Sequence, residues 1–191
     1  MAVPASDVAR QGIDVYVNVI QNGIPPFVRP TKMSPRPAPA PAANAFAPLN
    51  PDYEARVRAS FGRQGAMQLI GARLFALRPG YCAIELPFRE DLTQQHGYVH
   101  AGIIGAIVDS AGGYAGFTLF PADASVLTVE YKLNLLAPAA GERLVAEAEV
   151  VKPGRTLAIT RGEVYAEAAG KRTLCAIMQQ TLIVLSGKPD A

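Results

Sequence analysis

The residue with the clearest chemical potential in this chain is Asp109, the only charged side chain between Ala101 and Phe120. That segment predicts a helix without a polar stripe, which is typical of a helix buried on most sides or lying in lipid. A carboxylate in such surroundings costs free energy unless another group hydrogen-bonds it. Steps of three and four residues from Asp109 reach only small residues, namely Gly102, Gly105, Ala106, Gly112, Gly113 and Gly116. We therefore expect an acid with space for a ligand beside it.

Two other interpretations of this helix remain open. Glycines let a helix pack closely on a strand, and the aspartate would then serve only as a cap. Alternatively, about 20 apolar residues can cross a bilayer, and Gly112 and Gly116 have the spacing of a membrane packing motif. The aspartate itself, the few flanking basic residues and the strand-like sequence that follows argue against a membrane.

Two histidines precede the helix, His96 and His100, and neither has partners at the spacing of a metal site. His100 and Asp109 are nine residues apart, which at about 100° per residue places them on opposite sides of a helix. A catalytic pair of these two residues within one chain is therefore not expected. We expect both histidines to order the loop before the helix through hydrogen bonds.

Composition predicts one domain with a substantial core and some additional chain. The 191 residues are 50% hydrophobic and 18% charged, with a formal net charge of +2. This charge and the lack of Lys/Arg clusters give no indication of nucleic-acid binding. The two cysteines, Cys82 and Cys175, lie in strand-like runs without metal spacing. The first residues lack a secretory signal pattern, so the cytoplasm is the expected compartment.

The first 50 residues are expected to lie outside the folded core. Residues 6–21 carry a helical stripe as well as strand-like alternation, and we favour the helix. Residues 24–51 are rich in proline and alanine, which predicts a linker or a strap laid over the surface. We therefore divide the chain into residues 1–50 and a domain over residues 51–187.

A modest helix is predicted over residues 52–61, after which the hydrophobic period becomes that of strands. The predicted strands cover residues 68–78, 81–86, 126–136, 143–152, 157–167 and 172–185. Most are joined by short turns, which favours antiparallel neighbours. On the third strand we expect one face to carry Thr128, Glu130, Lys132 and Asn134, and the other Leu127, Val129, Tyr131, Leu133 and Leu135.

One apolar helix and six antiparallel strands have few stable arrangements. A strongly twisted sheet can curl around the helix and bury it. This predicts an α+β hot-dog fold, in which a six-stranded antiparallel sheet wraps around a central apolar helix. One such domain leaves sheet edges open and part of its helix uncovered, so we expect a homo-oligomer, either a dimer or a dimer of dimers.

The segment from Gln94 to Asp109 resembles the active-site region of hot-dog thioesterases of the phenylacetyl-CoA type. Members carry an Asn or similar residue, then HG-x-x-H-G-G, then a short apolar run and an acid. The corresponding stretch here is Gln94, then His96-Gly97-Tyr98-Val99-His100-Ala101-Gly102, then Asp109. Residues 127–139, LTVEYKLNLLAPA, look like the next strand of that family, and the similarity covers roughly residues 65–185. Ala101 replaces a family glycine, and Gln94 replaces the asparagine of many members.

The resemblance implies an acyl-CoA thioesterase for aryl or medium-length acyl groups. Coenzyme A would enter as part of the substrate, with no separate cofactor, metal or membrane partner. Asp109 would be the general base or the nucleophile, and the N–H groups of Ala101 and Gly102 would bind the oxyanion. Because the acid lies about 12 Å along the helix from those groups, the resemblance implies a site shared between two subunits of a dimer.

The same resemblance assigns further residues. Gln94 would orient the attacking water or the substrate carbonyl, Thr128 would lie near that water, and His100 would support the catalytic loop. The substrate-binding set would be His96, Gly97, Lys152, Arg155 and Thr156, the last three near the phosphates of coenzyme A. For Lys152 and Arg155 the alternative interpretation is a solvated basic turn. For Thr128 it is an ordinary β-branched strand residue.

Tyr81, Tyr114 and Phe117 are candidates for the lining of an acyl pocket, although core packing explains them equally well. The alternative function is a non-catalytic acyl-CoA sensor, with residues 1–50 as a regulatory arm. An enoyl-CoA hydratase on the same fold would need an acid and a histidine close together, and the sequence contains no such pairing.

Overall fold

The computed structural model of the chain describes residues 46–188 and 190. The helix predicted over residues 6–21 and almost all of the proline-rich segment lie outside the described residues. Two short helices come first, α1 (Tyr53–Gly62) and α2 (Gly65–Ile70), followed by β1 (Arg73–Arg78) and β2 (Tyr81–Pro87). A 3-10 turn (Glu90–Leu92) leads to α3 (Ala101–Phe117), and the chain continues through β3 (Ser125–Leu135), β4 (Arg143–Lys152), β5 (Leu157–Ala168) and β6 (Lys171–Leu185).

The six strands form one sheet in the order β1-β2-β4-β5-β6-β3, and every neighbouring pair is antiparallel. Helix α3 packs against β2, β3, β4, β5 and β6. Its residues Ile107, Val108 and Ala111 are fully buried in the core between helix and sheet. The predicted hot-dog fold is confirmed.

Small residues bring α3 close to the sheet. A Cβ added to Gly116 would lie 2.6 Å from Cδ1 of Leu182 on β6, and one added to Gly162 on β5 would lie 2.5 Å from Cγ2 of Val108. Contacts this short are not tolerated in a packed interior. Close helix-to-sheet packing therefore explains part of the glycine content of α3.

The start of the domain differs from the sequence-based prediction. Residues 68–70, predicted as the beginning of the first strand, belong to α2, and β1 begins only at Arg73. The buried residues of α2 are Met67 and Ile70, a helical spacing of three. Gly71 ends the helix with φ +75°, a left-handed conformation that glycine adopts without strain. Helix α3 also ends earlier than predicted, at Phe117 instead of Phe120.

A β-bulge in β3 overturns the predicted division of that strand into two faces. Thr128 pairs with Leu182 but Glu130 pairs with Thr181, so Val129 is an extra residue between them. Beyond the bulge the alternation is shifted by one, and Tyr131 joins Thr128 on the helix side. Its hydroxyl lies 3.4 Å from the position that a Cβ on Gly105 would take.

None of the helices within the described residues is both long enough and apolar enough to cross a membrane. Helix α3 has 17 residues and is enclosed by the sheet of its own domain.

We expect both thiols to resist aqueous reagents in the folded protein. Cys82 and Cys175 are each 0% exposed, and burial raises the pKa of the Cys82 thiol far above its ordinary value and that of Cys175 to about 12. Because the thiolate is the reactive form, a chromogenic disulfide reagent at mildly alkaline pH should modify neither thiol until guanidinium chloride unfolds the chain. Rapid modification of either thiol in the native protein would contradict this packing.

Candidate active site

The Asp109 carboxylate is half-buried on the side of α3 that meets β3 and β6, and its oxygen Oδ1 accepts two side-chain hydrogen bonds. The Thr128 hydroxyl donates one at 2.8 Å, and Nε2 of Gln180 donates the other at 2.6 Å. The structure places Thr128 directly against the acid, whereas its predicted position near the attacking water stays a prediction. The β-bulge follows Thr128 in the strand. Gln180 was not among the predicted site residues.

Gln180 connects the acid to a second buried side chain. Its own side chain is 1% exposed, and its Oε1 accepts a hydrogen bond of 2.7 Å from the hydroxyl of Thr160, which is fully buried. Its Nε2 also lies 3.1 Å from the backbone carbonyl oxygen of Asp109 and 3.0 Å from the hydroxyl of Thr128. A continuous hydrogen-bonded chain therefore runs from Thr160 on β5 through Gln180 on β6 to Asp109 on α3.

The glycine face beside Asp109 is mostly filled, which corrects the expectation of an empty strip. A Cβ on Gly112 would lie 2.0 Å from Oε1 of Gln180 and 2.9 Å from Oγ1 of Thr160. Leu182 fills the space beside Gly116, and the Tyr131 hydroxyl lies beside Gly105. By contrast, a Cβ on Gly113 would meet nothing within 4 Å. Within the described residues, room for a ligand beside the acid therefore remains on the Gly113 side.

A cavity of about 490 Å³ opens on that side. This volume is in the range of small-molecule sites, which run from roughly 300 to 1,000 Å³. Its lining consists of Ser60, Arg63, Gln64, Asp109, Ser110, Gly113, Tyr114, Phe117, Val126, Leu127, Thr128 and Asp190. Two of the three proposed pocket aromatics, Tyr114 and Phe117, are present in it, whereas Tyr81 lies elsewhere. The contributions from α1 and its following turn were not predicted, because nothing in the local sequence marks them.

The loop before α3 is ordered by its own polar groups. His100 is the N-cap of α3, and its Nδ1 accepts a hydrogen bond of 2.9 Å from the N–H of Gly102. The Gln94 side chain accepts a hydrogen bond from the N–H of His96, and the N–H of Gln94 donates to the carbonyl of Tyr98 at 2.8 Å. Gly97 has φ +82°, which the tight turn requires.

The two predicted oxyanion donors differ in their hydrogen bonding. The Gly102 N–H is occupied by His100, whereas the N–H of Ala101 has no hydrogen-bond acceptor within residues 46–188. Ala101 is the first residue of α3, and the eight helical steps from it to Asp109 span about 12 Å. One chain therefore does not bring the acid and the helix N-terminus to a common substrate atom.

The predicted coenzyme A turn is exposed at one end of the sheet. Lys152 ends β4, and Arg155 and Thr156 lie in the turn before β5. The carbonyl of Thr156 accepts a hydrogen bond of 2.8 Å from the N–H of Val184. Ala158 pairs with Leu182, which in turn pairs with Thr128. The basic turn is therefore at the same end of the sheet as Thr128, two strands away. Among the described residues, no group of three or more His, Cys, Asp or Glu side chains is arranged for a metal ion.

Known proteins resemble this chain over the same domain. The sequence profile of the Thioesterase superfamily matches residues 96–172. A crystal structure of a thioesterase family protein from Silicibacter pomeroyi is 49% identical, with a TM-score of 0.70 over 71% of this chain and 99% of that one. Acyl-coenzyme A thioesterase 13 of Homo sapiens is 30% identical over 99 residues, which are 51% of this chain and 70% of the relative.

The fold is also that of the E. coli PaaI protein from the phenylacetic acid degradation operon. That structure has a TM-score of 0.65 over 74% of this chain and 99% of its own, at 17% identity. At this identity the likeness concerns the fold alone.

We expect opposite stability effects from alanine at the two adjacent glycines of α3. Gly112→Ala places a methyl group against the Gln180 amide and should lower the free energy of unfolding by about 1–3 kcal/mol. Gly113→Ala has open space and should raise it by about 0.5–1 kcal/mol through better helix propensity. Denaturant unfolding measures both. Equal effects of the two substitutions would contradict the placement of Gln180 over Gly112.

Proposed function

The chain belongs to the thioesterase superfamily and is a hydrolase of thioester bonds, and we propose that its substrates are acyl-CoA thioesters cleaved at Asp109. The observation that carries this proposal is the half-buried Asp109 carboxylate, bonded through Oδ1 to Thr128 and Gln180, at the wall of a cavity of about 490 Å³. An acid held in this way on rigid elements faces the space where a substrate carbonyl would lie.

In the proposed reaction, Asp109 acts as a general base or as the nucleophile. As a base it takes a proton from water, whose oxygen adds to the thioester carbonyl; the C–S bond then breaks and the thiolate leaves with a proton. As a nucleophile it first forms an anhydride with the acyl group, which water then hydrolyses. Both routes pass through an oxyanion, and both need a donor to stabilise it.

The N–H of Ala101 is the donor that we propose for the oxyanion. It is unoccupied within the described residues, it opens α3, and the N-terminus of a helix carries partial positive charge. The Gly102 N–H is engaged by His100 at 2.9 Å, so its role would be to fix the loop. Gln94 would then support the same loop through its bond to the N–H of His96.

A second copy of the chain would supply this donor to Asp109. Strand β3 is an edge of the described sheet, is 11 residues long and exposes Leu127 and Val129, which are 59% and 56% accessible. A long exposed apolar edge of this kind is favourable for pairing with another strand. Pairing two β3 strands around a two-fold axis would place each Asp109 next to the partner's catalytic loop. We propose a homodimer, or a dimer of dimers, built on this contact.

An aryl or medium-length acyl group is the substrate that suits the cavity. Tyr114, Phe117 and Val126 provide apolar lining beside Asp109. Lys152 and Arg155, at the same end of the sheet as Thr128, would contact the phosphates of coenzyme A. The human relative is named for acyl-coenzyme A hydrolysis, which agrees with this substrate class.

We expect Asp109→Asn to reduce thiol release from acyl-CoA substrates by at least about 100-fold, because the acid is removed while the oxygen that Thr128 and Gln180 contact is kept. A panel of aryl- and medium-chain acyl-CoAs with a thiol reagent measures this. The unfolding midpoint and the oligomeric state should be unchanged. Retained turnover would remove Asp109 from the mechanism. Binding without turnover by the wild-type protein would favour the acyl-CoA sensor.

Ala101→Pro tests the oxyanion donor with little effect on the fold. Proline is tolerated at the first helical position, and His100 has φ −61° and ψ 140°, a conformation suited to a residue before proline. Proline replaces the N–H by a ring carbon, so the oxyanion loses its donor and we expect kcat to fall by about 10²–10³. Ala101→Gly keeps the N–H and is the matched control, with activity near that of the wild type.

Mixing the two inactive variants tests the shared site. A heterodimer of Asp109→Asn and Ala101→Pro has one site with both defects and one intact site, so an equal mixture should recover about one quarter of wild-type activity. No recovery in a mixture that contains heterodimers would mean that each site belongs to one chain.

A further inference from the structure

We propose that Gln180, with its amide fixed by Thr160, is a positioning residue that holds the Asp109 carboxylate in its working orientation. This inference rests on the proposed function of Asp109 and adds two residues that the catalytic motif does not contain. Gln180 would not touch the substrate. It would act through the acid, by a charge-assisted hydrogen bond to one carboxylate oxygen.

The contacts of the Gln180 amide use both its NH₂ group and its carbonyl oxygen. Its Nε2 has two hydrogens, and its three acceptors are Asp109 Oδ1 at 2.6 Å, Thr128 Oγ1 at 3.0 Å and the backbone carbonyl of Asp109 at 3.1 Å. Its Oε1 accepts from Thr160 Oγ1 at 2.7 Å. No other side chain within the described residues makes as many contacts to the acid and its neighbours.

The groups on both sides of the amide fix its orientation. If the amide were turned by 180°, its oxygen would face the Asp109 carboxylate and the backbone carbonyl, both of which are acceptors. The Thr160 hydroxyl, fully buried and directly opposite Gln180 on the neighbouring strand, would then face an NH₂ group and lose its acceptor. A buried donor without an acceptor costs about 1–3 kcal/mol. The two acceptor oxygens of Asp109 and the Thr160 hydroxyl therefore favour the same rotamer, in which the amide presents its N–H groups to the acid.

Packing alone does not explain a glutamine here. Gln180 is 1% exposed in a core of apolar side chains, where Leu or Met would fill the same volume without desolvating an amide. The helix is also adapted to this side chain, because any Cβ at Gly112 would overlap Oε1 of Gln180. The polar chain ends at the one carboxylate of α3, which lines the cavity. The free-energy cost of burying the Gln180 amide is consistent with a role at that carboxylate.

The hydrogen bonds distinguish the two oxygens of the acid. Oδ1 of Asp109 is held by two donors, whereas Oδ2 has no hydrogen bond within the described residues and is available to water or substrate. A residue with a purely structural role would not affect this orientation.

Gln180→Met, which preserves length and volume, tests this role with the acyl-CoA that the wild-type protein hydrolyses fastest. We expect kcat to fall by about tenfold or more with KM within about twofold, because the acid is misoriented after binding.

Thr160→Val and Thr160→Ser form the second test and leave Gln180 in place. Thr160→Val removes the hydroxyl at constant shape and should lower kcat by a smaller factor, again with KM within about twofold. Thr160→Ser keeps the hydroxyl and should retain the wild-type kcat. This pair decides the question if Gln180→Met does not fold.

The outcomes separate this inference from the proposed function. If the wild-type protein hydrolyses no acyl-CoA, both are wrong. A different result overturns only this inference: the wild-type protein hydrolyses acyl-CoA and Asp109→Asn is inactive, but Gln180→Met and Thr160→Val lower only the unfolding midpoint and keep the wild-type kcat. The role of Gln180 would then be structural.

Discussion

The short distance between α3 and the sheet is the constraint on which the site depends. At Gly112 the helix surface carries no side chain, so the Gln180 amide lies against the helix and reaches the Asp109 carboxylate at 2.6 Å. Gly116 and Gly162 permit the same close approach elsewhere along the interface. A larger side chain at any of these positions would push the two layers apart. Because hydrogen bonds weaken steeply with distance and angle, the acid would then lose its partner on the sheet.

This constraint also explains how a polar group is accommodated beneath an apolar helix. A carboxylate with no partner would be expensive to desolvate, but Asp109 is bonded on one side and open to a cavity on the other. Thr160 and Gln180 satisfy one another inside the core, so the chain of polar atoms has no unpaired end there. Rigid elements thus support the acid, whereas the loop before α3 depends on local caps and turns.

The strand at the sheet edge connects the acid to its expected partner subunit. Thr128 bonds to Asp109 from β3, and one residue later the bulge at Val129 shifts the alternation of the strand. Bulges at sheet edges commonly redirect side chains near functional sites. Here the bulge places Tyr131 on the helix side together with Thr128, while the backbone of the same strand stays exposed for pairing. Strand β3 would therefore both support the catalytic acid and form the contact between subunits.

Local sequence patterns determined much of this molecule. The apolar run around Asp109 indicated a buried helix, and the alternating segments after it indicated the sheet, because side-chain burial along one element follows its own period. The pattern from Gln94 to Asp109 also pointed to the correct superfamily. Only the tertiary structure decided which glycines of α3 are filled, where the bulge lies in β3, and that Gln180 and Thr160 reach the acid. Gln180 is 71 residues from Asp109 in the chain, and a contact between elements so distant depends on strand order and helix placement, which no local period encodes.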